Sequence, residues 1–475
     1  MSQAVAAEVA APAHELPSTK TFLGHPVGLY VLFFTEMWER FSYYGMRALL
    51  VLYMTKYLFI DGHYQGVVGY TVIKGALEAV FGPLAVQPLS SQIYGLYTGL
   101  VYFTPFFGGI LADQLLGQRK TVVLGGVLMA IGHFLMAVES LFFVALFFLI
   151  LGNGCFKPNI STQVGGLYAP GDSRRDRAFG IFYMGINLGA FLAPLVCGTL
   201  GQSESFGWHW GFGAAGVGMC LGLVIYLIGQ PVLAKDNVMK RKESANVEKQ
   251  PLTPEEKKRV LALVILCALN IVFWAVYEQQ GNTMQLWATD QTNWPTIFGW
   301  TIPNTWFQAF NPMMIFLFTP LLALFWGWQA KSGKEPSSVA KMAIGCSILG
   351  LSFVVMVVGA LLLGSNKGSL FWPLFCTFML TIGELYLSPI GLSLVTKVAP
   401  PRIVSMMMGM WFFSSFFGNY LSGFIGSFYS RMPGGKPAFF LMLTILGLAA
   451  GLGIWIMNKP IQRWMRSGAT ADAKL

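Results

Sequence analysis

The sequence predicts an all-α membrane protein with twelve transmembrane helices in two sets of six. Three observations carry this. First, 55% of the residues are hydrophobic and only 11% are charged, a balance typical of multi-spanning bilayer proteins rather than soluble domains. Second, apolar windows of about twenty residues, enough to cross the hydrocarbon core, recur near 27–58, 90–111, 118–138, 141–168, 176–200 and 210–230, and again near 259–287, 307–328, 337–363, 370–398, 403–430 and 437–457. Third, a charged stretch separates the two sets. The chain thus divides into an N-terminal tail (1–26), a first bundle (27–230), a linker (231–258), a second bundle (259–457) and a C-terminal tail (458–475).

The tail before the first span has no basic stretch followed by an apolar core, so no cleaved signal peptide is expected. The linker is dense in charge and lacks periodic apolar positions, as a solvated segment should. At its end Thr253, Pro254 and Glu256 form the pattern of a capping box with proline at the first helical position, which places the start of the seventh helix. Orientation follows from Lys and Arg. With the N-terminus inside, tails and inner loops hold 23 of the 31, whereas the outer side holds five: Lys56, Lys74, Lys367, Arg431 and Lys436. Both termini are therefore expected in the cytoplasm. The same bias accounts for the net charge of +10, so no nucleic-acid partner is needed. The six cysteines all fall within expected spans without C-x-x-C spacing, and read as small apolar fillers.

Seven ionisable residues lie inside spans: Arg40, Arg47 and Lys157, with Glu36, Glu39, Glu278 and Glu384. A charge at a helix centre costs about 2.5 to 3.5 kcal/mol on the insertion scale, so the first helix carries a penalty on the order of 10 kcal/mol. Such groups must be paired or wet, and they commonly mark a solute or proton path. At about 100° per residue, positions 36, 39, 40, 43, 44 and 47 fall within roughly 140° of one another. Both glutamates, both arginines and both tyrosines of TEMWERFSYYGMR share one face, which rises about 16 Å along the helix.

An internal duplication points to a pore between two halves. The fourth span reads GNGCFKP and the tenth GELYLSP, each glycine, five residues, proline, with an ionisable residue inside the frame. Equivalent helices of two repeats would each bend at the site.

These residues carry a family resemblance. Glu36-Met-Trp-Glu39-Arg40-Phe-Ser-Tyr43-Tyr44-Gly resembles the ExxERFxYYG signature of bacterial proton-coupled oligopeptide transporters, a branch of the major facilitator superfamily. GNGCFKPNIS, FYMGINLGA, FWAVYEQ and GELYLSPIGLS resemble that family's helices 4, 5, 7 and 10, so the likeness spans both halves. GGILADQLLGQRK is similar to the superfamily's loop between helices 2 and 3, with Gly117 one place late. Two departures stand out: the linker is too short for the extra helical pair of many bacterial members, and the second helix lacks the histidine that animal members use in proton coupling. Coupling would then rest on carboxylates.

The resemblance implies a major facilitator fold, two six-helix bundles related by a pseudo-two-fold axis, in the cell inner membrane. It implies proton symport of di- and tripeptides by alternating access, with Glu36, Glu39 and Glu278 as proton-binding groups. Arg47 and Lys157 would bind the peptide carboxylate, a task suited to fixed cations. Glu384 would meet the amino terminus, with Asn187, Asn311 and Ser388 as neighbours, and Tyr43, Tyr44, Tyr102, Trp274 and Trp411 would line side-chain pockets. Gating salt bridges would draw on Arg40 and Asp113 and on the pairs Arg47–Glu278 and Lys157–Glu384, the two pairs closing the extracellular side. The implied partners are peptides, protons and membrane lipid, with no cofactor or metal and a functional monomer.

Other classes fit less well. An enzyme would need a nucleophile or metal constellation, and the chain has neither G-x-S-x-G nor H-E-x-x-H. A channel is disfavoured because two repeats with off-centre charges suit alternating access better than a filter ring. A relative carrying nitrate or another anion is disfavoured by the complete ExxER motif and by Glu384.

Overall fold

The computed structural model describes residues 20–60, 62–169, 172–234, 252–400 and 403–472. Its long helices are α1 (Val27–Tyr53), α2 (Val86–Phe103), α3 (Gln118–Leu135), α4 (Phe142–Gly166), α5 (Arg174–Ala193), α6 (Trp208–Gly229), α7 (Pro254–Tyr277), α8 (Phe310–Lys331), α9 (Ser338–Leu363), α10 (Phe371–Val398), α11 (Val404–Gly426) and α12 (Gly435–Asp472). Among the described residues, nine helical segments are long and apolar enough to cross a membrane. The three long helices outside that set are α1, α3 and α11. In α1 the cause is visible: any window containing the ExxER motif holds three charges.

Several helices are prolonged by irregular turns. A π turn extends α1 over Met54–Leu58, and α7 runs on through a 3-10 turn at Glu278–Gly281 into a short helix at Thr283–Asp290. Such breaks inside a membrane are tolerated only where protein or a cavity satisfies the backbone. The break in α7 falls beside the candidate site described below.

The capping box forms as the sequence indicates. Thr253 Oγ1 accepts from the Glu256 N–H at 3.2 Å, and Glu256 Oε2 accepts from the Thr253 N–H at 2.8 Å. The linker stretch 235–251 lies outside the described residues. Helix α12 continues to Asp472, well past the last apolar window, because a helix can carry on into water with residues such as Asn458, Gln462 and Arg463 after the membrane ends. Two further features escaped the apolar windows: a short helix at Tyr70–Phe81, and a two-stranded hairpin pairing Thr296–Ile297 with Trp300–Thr301.

The two glycines of the repeated frame have the same job in each half. A Cβ on Gly152 would meet the Gly125 carbonyl oxygen at 2.8 Å, and one on Gly383 would meet the Gly345 carbonyl oxygen at 2.7 Å. Helix α4 thus crosses α3 backbone to backbone, and α10 crosses α9 in the same way. Pro158 and Pro389 both sit inside their helices one turn or more beyond.

These crossings make a prediction. Gly152→Val and Gly383→Val should each cost about 1 to 3 kcal/mol or more through overpacking, read as a lower melting temperature in detergent. Gly75→Ala, inside the short helix at a position with open space around it, should not lower the melting temperature, since alanine is the better helix former.

Candidate functional site

Helix α1 buries its charged stripe. Glu36, Glu39 and Arg40 are 2%, 0% and 4% exposed. Arg40 Nε lies 2.8 Å from Glu36 Oε1 and 2.6 Å from Glu39 Oε2, so one guanidinium faces two carboxylates. The Asn153 side chain of α4 donates to Glu39 Oε1 at 3.3 Å. Glu36 Oε2 and Arg40 Nη2 are buried without a hydrogen-bond partner among the described residues. The triad carries a formal charge of −1 in a dry setting, a costly arrangement that a bound proton would relieve.

One and two turns further, the same stripe opens onto a cavity of about 190 Å³ between the bundles. From the first bundle Tyr44, Arg47, Tyr102 and Asn187 line it; from the second come Trp274, Glu278, Asn311, Glu384 and Ser388. Nine of the residues singled out from the sequence are thus brought together. Tyr183, Tyr277, Gln280 and Gln308 also line it and were not expected, since polar and aromatic residues at those positions carry no pattern that separates them from packing.

The remaining expected residues are placed elsewhere. Tyr43 is 5% exposed, packed edge-on against Tyr44 at 5.1 Å and under the Arg40 guanidinium. One residue is a turn of about 100°, which sends Tyr43 and Tyr44 to different surroundings. Trp411 is buried with its ring across Gly391, where a side chain would collide with it. Lys157 rests its ammonium 4.1 Å from the Tyr102 ring centroid, behind the cavity wall.

The expected salt bridges divide similarly. Arg47 Nη2 pairs with Glu278 Oε2 across the bundles, and Arg47 Nε donates to Tyr94 Oη at 2.7 Å. Gly281 makes room for this cluster, because a Cβ there would run into the Tyr94 hydroxyl and Arg47. The pair expected between Lys157 and Glu384 is not made. Instead Glu384 Oε2 accepts from Tyr277 Oη at 2.7 Å and from Asn311 Nδ2 at 3.1 Å. Arg40 pairs within its own helix rather than across the gap, because Glu36 one turn before it and the adjacent Glu39 are nearer than any carboxylate on the opposite bundle. Asp113 is exposed and makes no ion pair among the described residues, while Arg119 donates to the Gln230 and Leu233 carbonyls at the end of α6.

Further bonds join the bundles at the end of the molecule away from the termini. Lys56 Nζ meets Asp290 Oδ1 at 2.8 Å, Ser91 donates to Asn282 at 2.9 Å, and Gln202 Nε2 donates to Asn304 Oδ1 at 2.8 Å. There α2 and α11 cross glycine on glycine, Gly95 against Gly423. Together with Arg47–Glu278 these contacts close that end.

A buried pair broken on one side leaves an uncompensated charge, which costs about 3 to 5 kcal/mol. Arg47→Ala or Glu278→Ala should therefore open the closed end, measured as faster modification of a cysteine placed at Ser91 by a membrane-impermeant thiol reagent. Unchanged modification in both variants would count against the pair as a closure.

Comparison with known proteins agrees with this architecture. The model of the POT family matches residues 119–253 and 234–442. The "Peptide transporter YePEPT" of Yersinia enterocolitica is 34% identical, over 95% of this chain and 97% of its own length. A "Di-/tripeptide transporter" of Lactococcus lactis subsp. cremoris is 34% identical, over 94% and 98% of the two chains. A crystal structure of a mutant of a peptide transporter POT in complex with alafosfalin superposes with a TM-score of 0.81 at 35% identity, covering 95% of this chain and 98% of the other. Full-length likeness in sequence and fold, with charged cavity walls contributed by both bundles, leads to one conclusion: the chain is a multi-pass membrane protein that belongs to the POT family of transporters.

Proposed function

We propose that the chain is a proton-coupled symporter that imports di- and tripeptides by alternating access across the cell inner membrane. The observation that carries this reading is the placement of Arg47 on one wall of the cavity and Glu384 on the other. A zwitterionic peptide presents a carboxylate and an ammonium, and an extended chain spans about 3.3 to 3.6 Å per residue, so two or three residues separate the ends by roughly 5 to 10 Å. The peptide carboxylate binds at Arg47, with Lys157 reached as the site rearranges, and the ammonium binds at Glu384 beside Asn311. Longer peptides would obstruct the closing halves.

The relatives' printed names, a peptide transporter and a di-/tripeptide transporter, support the substrate class. The excess of Lys and Arg on the terminal side supports an orientation with both termini in the cytoplasm. In that orientation the closed end faces outward and the site is reached from inside. Both bundles and the whole cavity come from one chain, which supports a monomer working in its lipid bilayer.

The coupling proton binds in the Glu36–Glu39–Arg40 triad. The spanning ionisable groups number three cations and four carboxylates, so one proton neutralises the set before a zwitterionic peptide joins it. Arrival of the peptide carboxylate gives Arg47 a second partner in place of Glu278, which loosens the outer closure and lets the bundles rock.

Uptake into proteoliposomes tests the reading. Labelled Ala-Ala should accumulate under an inward proton gradient, and Glu36→Gln or Glu39→Gln should abolish that accumulation while sparing peptide exchange. Normal gradient-driven accumulation in both variants would remove the triad as the proton site. Amidating the carboxylate of Ala-Ala should weaken competition about tenfold or more, whereas exchanging Ala-Ala for Ala-Phe should change it modestly, since an unmet buried charge costs more than a poorly filled apolar pocket.

A further inference from the structure

Glu384 offers two oxygens to the cavity, and the structure uses them unequally. Both protein donors, Tyr277 Oη at 2.7 Å and Asn311 Nδ2 at 3.1 Å, converge on Oε2. Asn311 Nδ2 also donates to Thr381 Oγ1 at 2.9 Å, and Thr381 Oγ1 donates in turn to the Thr377 carbonyl at 2.7 Å. The amide is thereby held by the helix that carries Glu384. With Oε2 doubly bonded, Oε1 is the oxygen left to accept from a ligand.

Tyr277 is built to hold this orientation. Its ring stacks on Phe273 at 5.8 Å and meets Trp274 edge-on at 5.3 Å, so the hydroxyl has little freedom of direction. It is 7% exposed and ends α7, where the helix gives way to the 3-10 turn at Glu278–Gly281. The next residue, Glu278, bonds Arg47. Adjacent side chains at one helix break therefore hold the second-bundle wall of the cavity and the closure above it.

We propose that Tyr277 is a positioning residue for amino-end recognition: its hydroxyl, with Asn311, pins Oε2 of Glu384 so that Oε1 is presented to the ligand's ammonium. This rests on the reading of Glu384 as the amino-end partner. Without the hydroxyl the carboxylate can turn toward Asn311 alone, and Oε1 loses its fixed aim. Selection for a free amino end then weakens while the carboxylate end, held on the opposite bundle, is recognised as before.

Two competition ratios against uptake of labelled Ala-Ala test this: N-acetyl-Ala-Ala over Ala-Ala, and Ala-Ala-amide over Ala-Ala. In Tyr277→Phe the acetylation ratio should fall about tenfold, the scale of one hydrogen bond to a charged group, and the amidation ratio should not move. Tyr277→Gln, whose amide can still donate, should recover part of the acetylation ratio. In a Glu384→Ala background Tyr277→Phe should change neither ratio. Equal falls in both ratios, or no fall in the first, would overturn the positioning role. A wild-type protein that fails to prefer Ala-Ala over its acetylated form would instead overturn the reading of Glu384 itself.

Discussion

A half-buried arginine at the cavity wall, Arg47, facing a buried glutamate, Glu278, across two helical bundles is the constraint on which the rest of this molecule turns. Neither Arg47 nor Glu278 is readily left unpaired at this depth, because the attraction between them offsets a desolvation cost of several kcal/mol per ion. Their pairing draws α1 against the broken end of α7 and keeps one end of the cavity shut. Around it the chain supplies what a close approach requires: the Tyr94 hydroxyl for the remaining guanidinium edge, and Gly281 where any side chain would collide. A pair of this kind is conditional by nature. Any solute that brings a carboxylate to Arg47 competes with Glu278 and changes the relative stability of the closed arrangement.

The other charges divide the labour. The Glu36–Glu39–Arg40 triad is enclosed in the first bundle and does not line the cavity, so under the proposed function a proton bound there would be kept apart from the solute. Glu384 accepts from neutral donors of its own bundle, Tyr277 and Asn311, and among the described residues it forms no ion pair. Of the two charged groups facing each other across the cavity, Arg47 is thus ion-paired and Glu384 is not, and under the proposed function a zwitterion would engage both only by displacing Glu278 from Arg47.

The ionisable core was legible in the sequence because charge within apolar spans is expensive and therefore conspicuous. Helical phase alone put Glu36, Glu39, Arg40, Tyr43, Tyr44 and Arg47 on one stripe, of which Tyr43 is packed away from the cavity, and the glycines of the repeated frame are the close crossings of α3 with α4 and α9 with α10. Aromatic residues were legible only as candidates. Tyr43 and Trp411 pack within the protein, whereas Tyr44 and Trp274 face the cavity, a difference that composition does not encode. Tyr277, Gln280 and Gln308 went unnoticed for the same reason. The partner of Glu384 was misassigned to Lys157 because opposite charges dominate a sequence-level pairing, while in the folded chain tyrosine and asparagine donors lay nearer.

The most direct measurement of this account is charge reversal across the gap. Arg47→Glu and Glu278→Arg each place like charges face to face, and each should leave the closed end open, with a cysteine at Ser91 modified rapidly by an impermeant thiol reagent. Combining the two reversals restores an attractive pair in the opposite sense, and modification should return toward the wild-type rate. A double variant as open as either single one would contradict the claim that this ion pair holds the bundles together.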